Sequence, residues 1–312
     1  TKREETEDIK KKPSKTSSKM LFRSLFGAAL AATTTMAASL QAVTGFGTNP
    51  SQIQMYIYVP DKLATKPAVV VALHPCGGSG QQWFSGTRST VQYADQLGFI
   101  LIYPSTPHMS NCWDVQNAAS LTHGAGGDAT SIVQMVNYTL TKYSGDAAKV
   151  FVFGSSSGGM MTNVIAGTYP EVFAAGSAVS GTAFACFAGA PSATPFSPNQ
   201  TCAQGLQHTP ADWGKFVRNA YPGYTGKRPR MMIWHGTGDA LVRPQCALEA
   251  LKQWSDVLGV PDLKTVANVP ASPYTQYLYG DGSKVVGYMG QGLGHMPPIN
   301  DKVMLTFFGL LS

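Results

Sequence analysis

No C-x-x-C pair, no H-E-x-x-H and no G-x-x-x-x-G-K-[ST] occurs in this chain of 312 residues. Those absences remove the common zinc, thioredoxin-like and P-loop chemistries, so neither a metal nor a cofactor is expected. Charge is scarce as well, at 13% of residues. The formal net charge of +6 is concentrated at one end: eight of the 23 Lys/Arg and four of the 17 Asp/Glu lie in residues 1–37, which leaves 15 basic against 13 acidic side chains beyond them. No basic stripe remains to hold nucleic acid, and no such partner is expected. Two glycine clusters, Gly124-Ala-Gly-Gly127 and Gly290-Gln-Gly-Leu-Gly294, lack the strand–loop–helix context and downstream acid of a dinucleotide fingerprint and read as loops. Beyond residue 37 no stretch reaches the roughly 18 apolar residues of a membrane span, so the mature chain is expected to be soluble.

The N-terminus does not read as part of a fold. Residues 1–19 are polar and charged, with almost nothing apolar to bury, and are expected to be a disordered extension foreign to the native chain. Met20-Leu-Phe-Arg23 then supplies a basic start, Leu25–Ala32 an apolar run and Thr35-Met-Ala37 a small-x-small site. That is the pattern of a secretory signal peptide over residues 20–37, and it places the protein outside the cell. Residues 38–312 are left as one domain, long enough to bury about three quarters of its unfolded surface. In a secreted chain the default state of cysteine is the disulfide. There are five cysteines, so at least one thiol stays free; the expected pairs are Cys76–Cys112 and Cys186–Cys202, leaving Cys246. Glycosylation sequons begin at Asn137, inside a predicted helix, and at Asn199, among Pro and Ser.

What the chain does contain is a run of short apolar segments alternating with helical patterns. Ala68–Leu73, Phe99–Tyr103, Val150–Phe153 and Met231–Trp234 are uninterrupted apolar runs, the signature of strands buried on both faces of a parallel sheet, and Ala175–Val179, of small residues and valine, reads as a further strand. Helices are predicted over 87–97, 128–143, 244–258 and 301–311. Gln276–Tyr279 and Lys284–Met289 read as short strands about the turn Gly280-Asp-Gly282. Residues 181–229, rich in Gly, Pro and Ser, read as an insertion over the site. The alternation predicts an α/β fold with a mostly parallel sheet and helices on both faces.

Gly154-Ser-Ser-Ser-Gly158 sits between the strand at 150–153 and a helical pattern carrying Met160, Met161, Val164 and Ile165. In that context G-x-S-x-G is a nucleophile elbow. Ser156 is the candidate nucleophile, and its two serine neighbours are turn residues. A serine hydroxyl needs a base, and the base an orienting acid. In this fold the order along the chain is Ser, then Asp or Glu, then His. Asp239 lies just past the strand ending at Trp234, and His295 lies in a loop between glycines and prolines. Asp239 and His295 complete the candidate triad, with Asp114 and Glu249 as weaker rivals for the acid. His235 reads as a support for the loop carrying Asp239, and Asp128 as a helix N-cap. The oxyanion donors are expected to be the N–H of Ser157 and that of Cys76, with Gly77 the alternative; Pro75 has none to give. Trp113 and Trp83, both in predicted loops, are candidate pocket walls. Cys76 is expected to be a disulfide partner rather than a second nucleophile.

Leu73-His-Pro-Cys-Gly-Gly-Ser-Gly80, Asn111-Cys-Trp-Asp-Val115, Gly154-Ser-Ser-Ser-Gly-Gly-Met-Met-Thr-Asn163, Thr201-Cys-Ala-Gln-Gly205 and Tyr221-Pro-Gly-Tyr-Thr-Gly226 resemble fungal secreted esterases of carbohydrate esterase family one. That group holds type-B feruloyl esterases and acetylxylan esterases and is related to polyhydroxybutyrate depolymerases. The resemblance implies an α/β-hydrolase fold and a triad at Ser156, Asp239 and His295. It also implies feruloylated or acetylated xylan as substrate, and no cofactor; the HPCGG loop is closer to the feruloyl branch. A polyester depolymerase and a non-catalytic binding protein on the same scaffold are the remaining readings.

Overall fold

The computed structural model describes residues 38–191 and 200–312. The expected extension (1–19), the signal peptide (20–37) and the sequon at Asn199 lie outside the described residues. The described residues fall in one compact unit. Its strands are β1 (Leu40–Val43), β2 (Gln54–Tyr58), β3 (Val69–Leu73), β4 (Ile100–Ser105), β5 (Val150–Ser155), β6 (Ala175–Val179), β7 (Arg230–Gly236), β8 (Leu263–Ala267), β9 (Tyr274–Tyr279) and β10 (Val285–Gly290). Its helices are α1 (Gly80–Gly86), α2 (Arg88–Leu97), α3 (Ala118–Leu121), α4 (Gly127–Tyr143), α5 (Ser157–Thr168), α6 (Gln200–Ala203), α7 (Pro210–Ala220), α8 (Gln245–Leu258) and α9 (Asp301–Phe308).

The strands form a single sheet in the order β1-β2-β4-β3-β5-β6-β7-β10-β9-β8. The central strands from β4 to β10 pair in parallel, and antiparallel strands flank them at both edges. The apolar runs take the centre because both faces there are covered. All of β3, β5 and β6 is buried. Successive side chains feed opposite cores: Val69, Val71 and Leu73 go to one, Val70 and Ala72 to the other. The first core also takes α4, α5, α7 and α8, and the second takes α2 and α9. Every residue of α5 is buried, and its polar side chains Thr162, Asn163 and Thr168 are hydrogen-bonded to backbone carbonyls. Gly98 ends α2 in the left-handed region at φ 72°. No described helix is long and apolar enough to cross a membrane.

Three expectations need correction, and two strands were not foreseen. Residues 80–86 form α1 rather than a loop: the Ser79 side chain caps it by accepting from the Gln82 N–H, so Trp83 stands on a helix. Asp128 does not cap α4, whose N-cap is Gly126; its carboxylate is spent elsewhere, as described below. Residues 210–220, inside the stretch read as an irregular insertion, are helical. Thr209 caps α7, and Trp213, Val217 and Ala220 bury its apolar face, packed with α5 and α8. Edge strands β1 and β8 escaped the sequence reading because neither buries a full face; β8 is exposed along its whole length. At the sequon beginning at Asn137, the asparagine is exposed on α4, but Thr139 is fully buried and bonds the Met135 carbonyl.

Candidate active site

The elbow is built by close approach of three backbones. A Cβ on Gly154 would meet the Gly158 carbonyl oxygen at 2.3 Å, one on Gly158 the Leu73 oxygen at 2.2 Å, and one on Gly159 the Val179 oxygen at 2.4 Å. Only glycine lets β5 and α5 meet this tightly. Between them Ser156 adopts φ 55°, ψ −120°, a conformation rare for a residue with a side chain and typical of a functional site. Its N–H donates to the Val179 carbonyl at 2.8 Å, fixing the turn against β6.

Asp239 follows the C-terminal end of β7, where open α/β sheets gather their ligands. Its Oδ1 accepts from the N–H groups of Leu241 and Val242, each at 2.9 Å. Its Oδ2 lies 2.6 Å from His295 Nδ1 and 3.0 Å from His235 Nε2. His235 Nε2 is also 2.8 Å from the Val242 carbonyl. A carbonyl only accepts, so that nitrogen carries the proton and ties the 239–242 loop to the strand. Burial would raise the pKa of Asp239, but hydrogen bonds from His235, His295 and the Val242 N–H outweigh it and hold the carboxyl well below the usual carboxylate range. Asp239 is therefore ionised at neutral pH.

His295 Nε2 is 2.8 Å from Ser156 Oγ. The loop that carries it is stitched to the loop that carries Asp239. The Thr237 N–H donates to Gly290 at 2.9 Å, the Gly238 N–H to Leu293 at 2.8 Å, and the Gly292 N–H to Thr237 Oγ1 at 2.8 Å. The Met296 N–H donates to Ser180 Oγ at 3.1 Å. The three residues singled out by sequence thus form one hydrogen-bonded line, serine to imidazole to carboxylate, within a well-hydrogen-bonded frame. The rival acids stand elsewhere: Asp114 accepts from Asn117 and Ser120, and Glu249 from the Trp213 indole at 2.7 Å.

Ser157 opens α5, so its N–H has no acceptor within the helix. The Gly77 N–H is committed to the Ser110 carbonyl at 2.7 Å, while among the described residues the Cys76 N–H donates to none. Of the two alternatives, Cys76 is the one with a donor to spare. A disulfide joins Cys76 to Cys112, and a second joins Cys186 to Cys202. Cys246 is a buried free thiol whose burial pushes its pKa up to about 12, which leaves it inert as a nucleophile.

Trp113 is not a pocket wall. It is 1% exposed, its indole donates to the His74 carbonyl at 2.8 Å, and its backbone N–H donates to Ser157 Oγ at 2.8 Å. Trp83 does line a cavity, of about 390 Å³, together with Ser155 and Met296. The sequence reading missed the brace behind the Cys76–Cys112 disulfide. The carboxylate of Asp128 is fully buried and accepts from the Asp114 N–H at 2.9 Å and from His108 Nε2 at 2.7 Å. It thereby secures both flanks of the 109–113 segment bearing Cys112. The hydrogen bond to Asp128 raises the His108 pKa, burial opposing it. A raised histidine pKa stabilises the fold fully below the ordinary value near 6.5, and that stability is lost as pH rises through the folded-state value. The loss of melting temperature caused by His108→Asn is therefore expected to be larger at pH 5.5 than at pH 8.5; thermal melts at the two pH values check it, and equal losses would contradict it.

The sequence profile of the family described as "Esterase PHB depolymerase" matches residues 53–257. The chain is 68% identical over 293 residues to Feruloyl esterase B of Neurospora crassa, covering 94% of this chain and 100% of the relative. It is 65% identical over 292 residues to Feruloyl esterase B of Thermothelomyces thermophilus, with coverage of 94% and 100%. Among solved structures, the acetyl xylan esterase from Aspergillus awamori superposes with a TM-score of 0.81 at 44% identity, over 87% of this chain and 99% of that one.

Proposed function

The chain belongs to the Esterase PHB depolymerase family, and on that premise we propose that it is a secreted serine esterase that removes feruloyl groups from plant cell-wall xylan. The observation that supports the mechanism most is the line from Ser156 Oγ through His295 to Asp239, at 2.8 and 2.6 Å. His295 Nε2 takes the Ser156 proton as Oγ attacks the ester carbonyl. The oxyanion that forms is held by the N–H groups of Cys76 and Ser157; loss of one such donor costs about 2.7–4 kcal/mol in a transition state. The bond from acyl carbon to alcohol oxygen then breaks, and the proton on His295 passes to the departing alcohol. Water, deprotonated by the same histidine, releases the acid and restores the serine. Asp239, ionised throughout, keeps the imidazole in the tautomer with Nδ1–H and stabilises the imidazolium.

The feruloyl assignment rests on the relatives at 68% and 65% identity. The structural likeness to an acetyl xylan esterase at 44% favours acetylated xylan as the second reading. Methyl ferulate is expected to be turned over with a kcat/KM at least about tenfold above that for an acetate ester of matched leaving group, a difference of ~1.4 kcal/mol. The reverse preference would assign the chain to acetylxylan, and release of hydroxybutyrate from polymer film would assign it to polyesters.

A further inference from the structure

We propose that a groove on the histidine side of the site, running from Ser155 to Tyr274, holds the sugar chain that bears the ester. The inference rests on the carbohydrate-esterase reading above. Chemistry sets the side. When the tetrahedral intermediate collapses, Ser156 Oγ keeps the acyl carbon, and the alcohol oxygen leaves with its bonding pair and takes the proton from His295 Nε2. That oxygen belongs to the sugar, so the sugar must approach along the base, while the carbonyl oxygen is held at Cys76 and Ser157.

The segment following His295 is where space opens. One cavity, about 390 Å³, is lined by Ser155, next to the nucleophile, by Met296, next to the base, and by Trp83. A second, about 520 Å³, is lined by Tyr93 and Tyr274. The two share Ser89, Pro298, Ile299 and Asp301 and so adjoin along that stretch, and together we read them as one elongated groove. The lining reaches the chain neighbours of the nucleophile and the base, Ser155 and Met296, and an open depression that continues from there past Tyr274 suits a polymer. Its walls have the composition that sugars use. Trp83, Tyr93 and Tyr274 supply flat rings for the C–H faces of pyranose or furanose units, and Asn300 and Lys302 supply polar groups for hydroxyls. The Trp83 indole N–H is buried and, among the described residues, makes no hydrogen bond; a buried donor without a partner is a group that a ligand hydroxyl satisfies.

The test compares a feruloylated arabinoxylo-oligosaccharide with methyl ferulate, whose methanol leaving group reaches none of the groove. The ratio of kcat/KM for the oligosaccharide ester over the methyl ester is expected to fall at least roughly fivefold in Tyr93→Ala, chiefly through KM. Ser89→Leu, at an exposed position on the stretch both cavities share, is expected to do the same by narrowing the passage. The de-esterified oligosaccharide should inhibit the wild-type enzyme competitively, and less so in Ser89→Leu, a readout that stands even where Tyr93→Ala fails to fold. An unchanged ratio in Ser89→Leu, or no inhibition of the wild type, overturns the groove while leaving the esterase intact. A wild-type protein that turns over neither ester overturns the reading beneath it.

Discussion

Ser156→Ala is expected to lower kcat/KM on every ester substrate by at least about 10⁴-fold with the melting temperature within a few degrees of wild type. Loss of the nucleophile in a serine triad removes about 10⁶ in kcat elsewhere, the remainder coming from binding and the oxyanion donors. Nothing nearby can stand in for the lost hydroxyl. Ser157 Oγ accepts from the Trp113 N–H at 2.8 Å, and Ser155 is a buried residue at the end of β5. Alanine keeps the Cβ already present at 156, and among the described residues the Ser156 hydroxyl makes no structural hydrogen bond apart from the one to His295, so the fold has little to lose. Steady-state rates on methyl ferulate together with a thermal melt check both halves. A variant retaining more than about one per cent of activity would show that another group attacks.

Gly158→Ala is expected to have the largest effect on stability, about 3–5 kcal/mol or outright failure to yield folded protein. The new methyl would sit 2.2 Å from the Leu73 carbonyl oxygen. That oxygen belongs to β3, a strand paired on both sides at the centre of the sheet, so neither a rotamer change nor a loop shift relieves the clash. Gly86→Ala is the matched control: at the end of α1 its Cβ would meet nothing nearer than a Trp83 ring carbon at 3.8 Å, and its effect should stay within about 1 kcal/mol. Urea midpoints of the two variants measure the difference; similar midpoints would contradict the close-approach account of the elbow.

The parts of this molecule that were readable from sequence are those where one physical requirement leaves few residue types. The central strands could be read because burial on both faces excludes polar residues from runs such as Val69–Leu73. The elbow could be read because strand and helix backbones collide unless Gly154 and Gly158 are glycine. His295 and Asp239 followed from chain order, since a serine base and its acid come from loops at one edge of the sheet. What was missed is what tertiary contacts decide. Asp128 in Gly-Asp-Ala-Thr-Ser has the local signature of a cap, yet its carboxylate turns inward to His108 and the Asp114 backbone. Trp113, in a loop rich in polar neighbours, is buried beneath His74. By contrast α1 and α7 did carry a local signal, a Ser79 and a Thr209 cap three residues ahead of their bonded N–H groups, which Gly and Pro in the surrounding sequence obscured.

The central claim is that one side chain, at position 156, is made nucleophilic by the imidazole at 295. Incubation of the enzyme with a fluorophosphonate, followed by peptide mapping in a mass spectrometer, tests it most directly. The account predicts a single stoichiometric adduct on Ser156, formed in parallel with loss of ester hydrolysis and absent from Ser156→Ala. An adduct on another residue, or full hydrolysis by protein that carries none, would contradict it.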